Sequence, residues 1–331
     1  MDITEENSVD LSNNIYQISK FEEKLNLKLI DDDPIKNNFS IEVLSVSIII
    51  PTINRPCILL NTIKYLVKQN YPKYEILIID SSNDLNFHLL DFIKEYPFIK
   101  YLKTEKKGPS AAKNLGIYSV NSEIVIFCDD DIIPCDDFIV NHIKNYFDNS
   151  IGGVSGRVIS KNDNQFKKIK DVGKIRFDGS IISNFNADYR IEVDHVYGCN
   201  MSFRRNILVD IGGFSLDYSG NAYFEETDLS IRVRKQGYKL VFDPTALVIH
   251  LMADEGGVRL HSFREWVYNY IHNYVILLKK HFSSLLFPLF IIRQCFWGIV
   301  WTIYHHDLKI PIIIIEAYIH GIKDAKTIRN T

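Results

Sequence analysis

No single sign of charge dominates this chain. Its 38 basic and 41 acidic side chains give a formal net charge of −3, which leaves no electrostatic footprint for a nucleic-acid partner. Cysteine is scarce. Cys57, Cys128, Cys135, Cys199 and Cys295 are odd in number and scattered without metal-ligand spacing, which argues against a disulfide framework and fits a reducing compartment. The N-terminus lacks the basic-then-apolar pattern of a secretory signal, so the expected location is cytoplasmic. No apolar stretch reaches the roughly 20 residues of a bilayer span. The longest, at 285–301, has 17 residues and is interrupted by Pro288, Arg293 and Gln294. Internal repeats and low-complexity tracts are also missing.

What is present is 331 residues, 46% of them hydrophobic, enough for one large domain with an appendage or for two domains. Charge is graded along the chain. Residues 1–40 hold nine acidic and four basic side chains; "DDDPIKNN" reads as a linker, and "FEEKLNLKLI" as one short helix or strand. Residues 259–331 hold nine basic and four acidic side chains and six of the ten histidines. Trp266, Trp297 and Trp301, flanked by Lys, Arg and His, suit a helix lying in a membrane interface. A helix packed on the preceding domain is the plainer alternative. The expected division is therefore a polar extension at 1–40, a catalytic-type domain at 41–258, and a helical region at 259–331 that either makes peripheral membrane contact through 283–331 or packs on the preceding domain.

Between 41 and 258 the texture is that of a layered α/β domain. "LSVSIIIPT", "EILIID" and "EIVIFC" are continuous apolar strands, and amphipathic helices alternate with them, starting after Arg55-Pro56. This pattern indicates a mostly parallel sheet with helices on both faces. Ligands of such sheets gather at the carboxyl ends of the strands, and three ends carry suggestive groups: Pro51-Thr52, Asp80, and the triplet Asp129, Asp130 and Asp131. Residues 160–192 are polar and interrupt the alternation. "FEETDLSIRVRKQGY" reads as a helix with acids in its first turn and Gly237 as its stop. "KLVFDP" and "ALVIH" read as two further strands.

In an extended segment alternate side chains share a face, so Asp129 and Asp131 point together while Asp130 points away. Two such carboxylates form a hard-oxygen site suited to Mg²⁺ or Mn²⁺. The plainer reading is an acidic helix start, because Asp136-Asp137 precede an apolar helix. His250, ending "ALVIH", is a third candidate ligand, since another strand end could bring it beside Asp131. Glu225, Glu226 and Asp228 either complement a helix dipole or present one carboxylate as a general base, which the dipole would help keep ionised. The loop "MADEGGVRLH" (Met252–His261), through Gly256-Gly257, is either a hinged lid over a bound donor or a simple turn.

Taken in order, these segments resemble the family 2 glycosyltransferases with the GT-A fold. The likeness runs from about Val46 to Lys280 through "SIIIPTINRP", "ILIIDSSND", "GPSAAKNLGI", "FCDDD", "GCNMSFRR", "GGF" and "YFEETDLSIRVRKQGYKLVFDPTALVIH". Three departures stand out. The second segment is one residue shorter than the common form, Lys113 replaces the usual arginine, and Glu226 stands where the family normally has aspartate. The resemblance implies a Rossmann-like sheet and an inverting transfer of a sugar from a nucleotide diphosphate to a hydroxyl of a saccharide or lipid-linked saccharide. It implies that Asp80, Pro51, Thr52 and Arg55 line the nucleotide pocket, that Asp129 and Asp130 lie by the donor, and that Lys113 adds positive charge. It further implies that Asp131 and His250 hold the Mn²⁺ or Mg²⁺ and that Glu226 is the base, with Cys199, Asn200, Glu225 and Asp228 on the acceptor side. A nucleotidyltransferase would want a glycine-rich loop after the first strand, and "PTINRP" has no glycine. A phosphatase with an aspartyl nucleophile would need aspartate where Pro51-Thr52 stands. A non-catalytic sugar-nucleotide-binding protein would tolerate loss of Glu226.

Overall fold

The structure, a computed structural model, describes residues 43–106, 108–160, 170–253, 256–257, 262–283, 285 and 287–328. The polar extension at 1–40 lies outside the described residues. In chain order, β1 (Val46–Thr52) leads to α1 (Pro56–Leu66), β2 (Tyr74–Asp80) to α2 (Phe87–Ile93), and β3 (Ile99–Lys103) to α3 (Pro109–Ser119). Then come β4 (Ile124–Cys128), β5 (Ile132–Pro134), α4 (Phe138–Ile143), β6 (Ile151–Ser160), β7 (Lys174–Ile175), β8 (Ile181–Ile182), β9 (Ile191–Val193) and β10 (Asn200–Arg204). The rest is α5 (Arg205–Asp210), α6 (Glu225–Lys235), β11 (Lys239–His250), α7 (Phe263–His281), α8 (Phe287–His305) and α9 (Ile310–Ile328).

The central sheet runs in the order β3-β2-β1-β4-β10-β6-β11-β5, with β9 also on β11. Its first four strands are parallel, and so are β6 and β11. β10 is antiparallel to both β4 and β6, and β5 and β9 are antiparallel to β11. Most strands therefore share one direction, as continuous apolar runs require when both faces are covered. Alternation sorts the side chains: Ile48 and Ile50 of β1 pack in one core, while Ile49 joins Leu77, Ile79 and Phe127 in the other. Each such isoleucine, fully buried, contributes roughly 2 kcal/mol. Gly116 lets α3 lie close on β1, because a Cβ there would meet Ile49 Cγ2 at 2.5 Å.

"KLVFDP" and "ALVIH" are not separate strands. They form the single β11, whose register on β6 slips between Asp243 and Leu247. The slip absorbs Pro244 without ending the strand, as an irregularity in a ladder can. Ser262 caps α7 by accepting from Glu265 N. That helix is buried along Val267, Ile271, Tyr274, Val275 and Leu278, and Ile310, Ile314 and Ala317 of α9 join its core. By length and composition alone α8 could cross a membrane: it has 19 residues and a mean hydropathy of 1.3. The 17-residue run understated it, because the helix continues through His305.

Candidate active site

The acid triplet leaves the sheet where β4 ends. Strand alternation turns Asp130 toward the loop after β1, where Oδ2 accepts from Thr52 Oγ1 at 2.6 Å and Oδ1 from Arg55 Nη1 at 3.0 Å. Asp129 and Asp131 turn the other way, toward His250. The antiparallel pairing of β5 with the end of β11 sets His250 opposite Ile132, one residue beyond the triplet. His250 Nε2 lies 3.0 Å from Asp131 Oδ1 and 3.7 Å from Asp129 Oδ2. Asp131 Oδ2 also accepts from Ala253 N at 2.9 Å.

Burial pushes the Asp129 carboxyl above its ordinary range, with His250 opposing it and Asp131 adding to it. Burial also drives Asp130 up to about 6, against the hydrogen bond from Thr52. Burial acts upward on Asp131 too, but the hydrogen bond and charge of His250 hold it below the usual value. His250 is raised: burial opposes its charge, and the hydrogen bond to Asp131 outweighs it. One ligand atom each from Asp129, Asp131 and His250 lies within 4.8 Å of the other two. A small divalent ion binds oxygen at about 2.1 Å, so opposite ligands are about 4 Å apart. Two carboxylate oxygens and one imidazole nitrogen at this spacing fit Mn²⁺ or Mg²⁺ with only minor side-chain adjustment.

Arg55 ties this group to the segment after β11. Besides Asp130 it reaches Asp131 Oδ2 at 3.6 Å and the Gly256 carbonyl at 3.1 Å. Gly256 and Gly257 have φ of +65° and +70°, and a Cβ on either would come within 2.6 Å of the Arg55 side chain. Only glycine fits that turn without strain. The remainder of the hinge suggestion, at Asp254, Glu255 and 258–261, lies outside the described residues.

The three acids of α6 have three different surroundings. Glu225 is buried, with its oxygens held by Ser110 and by the Lys113 ammonium at 2.5 Å. Asp228 is fully buried and meets Arg232 at 2.7 Å, His281 at 2.7 Å, Lys280 at 3.0 Å and the Tyr218 hydroxyl at 3.1 Å. Burial opposes its charge, but His281 and the neighbouring cations hold its carboxyl far below the usual range. Glu226 is half-buried on the wall of a cavity of about 820 Å³, which the triplet and His250 also line. Burial, and then the Glu225 charge, raise its carboxyl to about 7. Desolvation is the largest influence on its ionisation.

Among the other candidates, Pro51, Thr52, Arg55, Lys113 and Cys199 line the same cavity. Lys113 faces Glu225 rather than open space, and Asp228 belongs to the α6–α7 packing. Asn200 is fully buried, its amide nitrogen on the Arg157 and Ala246 carbonyls and its oxygen on His142. Asp80 ends β2 under Ser82 N at 2.7 Å and the Tyr101 hydroxyl at 2.5 Å, and Ser81 rather than Asp80 lines the cavity. Among the lining residues to which the motifs gave no role are Tyr223, Tyr197 and Asn221, the last with a buried Oδ1 that has no hydrogen-bond partner among the described residues. The "GNAY" stretch preceding the acids was the available signal for Asn221 and Tyr223.

A mostly parallel sheet whose strand ends bring two carboxylates, an imidazole and a facing glutamate to one cavity has the GT-A architecture. The family model described as "Glycosyl transferase family 2" matches residues 47–212, half of the chain, and the chain belongs to that family. It is 29% identical over 219 residues to the "Probable glycosyltransferase YdaM" of Bacillus subtilis (strain 168), an overlap of 62% of this chain and 50% of that protein. It thus spans about half the length of that relative. It is 27% identical over 219 residues to the "Dolichyl N-acetyl-alpha-D-glucosaminyl phosphate 3-beta-D-2,3-diacetamido-2,3-dideoxy-beta-D-glucuronosyltransferase" of Methanococcus voltae, covering 60% of this chain and 64% of that one. The fold also matches a mannosyltransferase of Pyrobaculum calidifontis solved with GDP-Man and Mn²⁺, with a TM-score of 0.54 at 16% identity over 88% of this chain and 79% of that one.

Proposed function

We propose that this chain is an inverting glycosyltransferase that moves a sugar from a nucleotide diphosphate sugar to a hydroxyl of a saccharide carried on a lipid. The observation that carries the reading is Glu226, on the wall of the cavity that Asp129, Asp131 and His250 also line, with a proton affinity near neutral pH. A general base is most effective when its pKa lies close to the working pH. The acceptor hydroxyl gives its proton to the Glu226 carboxylate as its oxygen bonds to the anomeric carbon. The bond from that carbon to the diphosphate breaks on the opposite face, and the electron pair leaves with the nucleotide diphosphate. No covalent enzyme intermediate is needed.

Asp129, Asp131 and His250 would hold Mn²⁺ or Mg²⁺, which offsets charge on the leaving diphosphate. Thr52, Arg55 and Asp130 form one hydrogen-bonded unit beside that position, with Pro51 and Ser81 lining the nucleotide end of the cavity and Asp80 behind them. Lys113 supports the floor through Glu225. Asn221 and Cys199 shape the same wall. The relative from Methanococcus voltae, by its name, acts on a dolichyl phosphate-linked sugar, which supports a lipid-carried acceptor and contact of 283–331 with the cytoplasmic face of a membrane. The test is a screen of nucleotide sugars for thermal stabilisation with and without Mn²⁺. One or more donors should raise Tm only with the metal; a donor effect indifferent to EDTA would overturn the metal assignment, and no donor effect the enzyme reading.

A further inference from the structure

The apolar residues of α8 and α9 are not all used inside the protein. On α8, Phe287, Phe290, Gln294 and Gly298 turn inward. The opposite face carries Ile292, Phe296, Ile299 and Ile303, which are 66, 60, 61 and 68% exposed, and the helix contains no acidic residue. Tyr318 of α9 stacks on Phe290, which turns the flank of α9 toward α8. On the neighbouring, outward face of α9, Ile312, Ile315 and Ile319 are all more than half exposed. A surface of this extent needs an occupant.

Two observations choose the occupant. The exposed charges beside the surface lean basic: Lys309, Lys323 and Lys326 stand against Glu316 and Asp324. Apolar side chains framed by cations are the combination that binds anionic phospholipid. Second, a row of aromatic rings joins the surface to the cavity. Trp297 packs on Trp301 at 6.2 Å, Trp301 on Trp266 at 5.5 Å, and Trp266 on the cavity-lining Tyr223 at 6.3 Å. None of these rings is fully buried, and amphipathic rings of this kind favour the level of lipid headgroups.

We infer that the outward faces of α8 and α9 rest on an anionic phospholipid surface and that the aromatic row holds the mouth of the cavity at the headgroups, where a saccharide on a lipid carrier can extend along it to Glu226. This rests on the transferase reading for the acceptor, but not for the docking. Vesicles of phosphatidylcholine with phosphatidylglycerol test it, because the chain has three tryptophans. In single-tryptophan variants, brominated acyl chains should quench Trp297 most, Trp301 less and Trp266 least. Ile292→Asp with Ile299→Asp should weaken vesicle flotation about tenfold or more while leaving Tm and Mn²⁺-dependent donor stabilisation unchanged. Absence of flotation by the wild-type chain, or a Trp297 no more quenched than Trp266, would overturn it. So would a concentration-dependent dimer abolished by the same substitutions, which would assign the surface to a second copy. Failure of Glu226→Gln to stop transfer would sink the base assignment and leave the docking result standing.

Discussion

The two sides of helix α6 treat the same chemical group in opposite ways. On the cavity side, Glu226 faces desolvation and the charge of Glu225, and its carboxyl rises to about 7. On the inner side, two residues on, Asp228 is more deeply buried, yet His281, Arg232 and Lys280 hold it ionised. Burial opposes the charge of both carboxylates; it prevails at Glu226, whereas the partners of Asp228 override it. The inner side is a structural ion cluster. The cavity side holds an acid whose carboxyl lies near neutral pH, which is what the proposed base needs.

The largest expected effect is on the cavity side. Glu226→Gln should lower transfer by about 10²–10⁴-fold while the metal-dependent rise in Tm with donor persists; near-normal turnover would break the contrast. Asp228→Ala should do the reverse. It strips the counter-charge from Arg232, Lys280 and His281, and its cost, about 3–5 kcal/mol in urea unfolding, should appear in stability before chemistry. A loss under about 1 kcal/mol would show that the inner cluster is not structural. Asp131→Asn should weaken Mn²⁺-dependent donor binding about tenfold or more, and the residual binding should no longer respond to EDTA.

The smallest effect concerns pH. The folded-state pKa of Glu226, about 7, exceeds the unfolded value near 4.3, so ionisation destabilises the fold as pH rises between the two. Glu226→Gln should therefore raise Tm by a few degrees at pH 8 and leave it unchanged at pH 4. Wild-type turnover should climb through about pH 7. The lowered pKa of Asp228 has the opposite sign: its contribution is complete above the ordinary carboxylate range and is lost as pH falls below it. A Tm indifferent to Glu226→Gln at pH 8 would mean that the carboxylate is better solvated than its position implies.

The alternation of strands and helices and the order of motifs were legible in the sequence because each depends on residues near one another in the chain. Period-two alternation also foretells which aspartates share a face. What decides among the three acids of α6 was not legible. Lys113, 112 residues from Glu225, occupies that carboxylate, and Lys280 and His281, more than 50 residues from Asp228, surround the other. Asn200 looked like part of the acceptor side, and its amide instead joins β10 to β6 and β11. The continuity of β11 through Pro244 depends on a register slip that only the neighbouring β6 reveals.

Phe224, immediately before the acids of α6, adopts a left-handed φ of +73°, a costly conformation for an aromatic residue. Its ring stacks on Tyr274 at 4.9 Å, and Tyr274 in turn meets Phe290 at 4.9 Å. The start of α6 is thus braced by groups that emerge from the ribosome 50 or more residues later. A nascent chain already holding the donor-side loops would lack this brace, so the first turn of α6 would be fixed only once the last helices are in place.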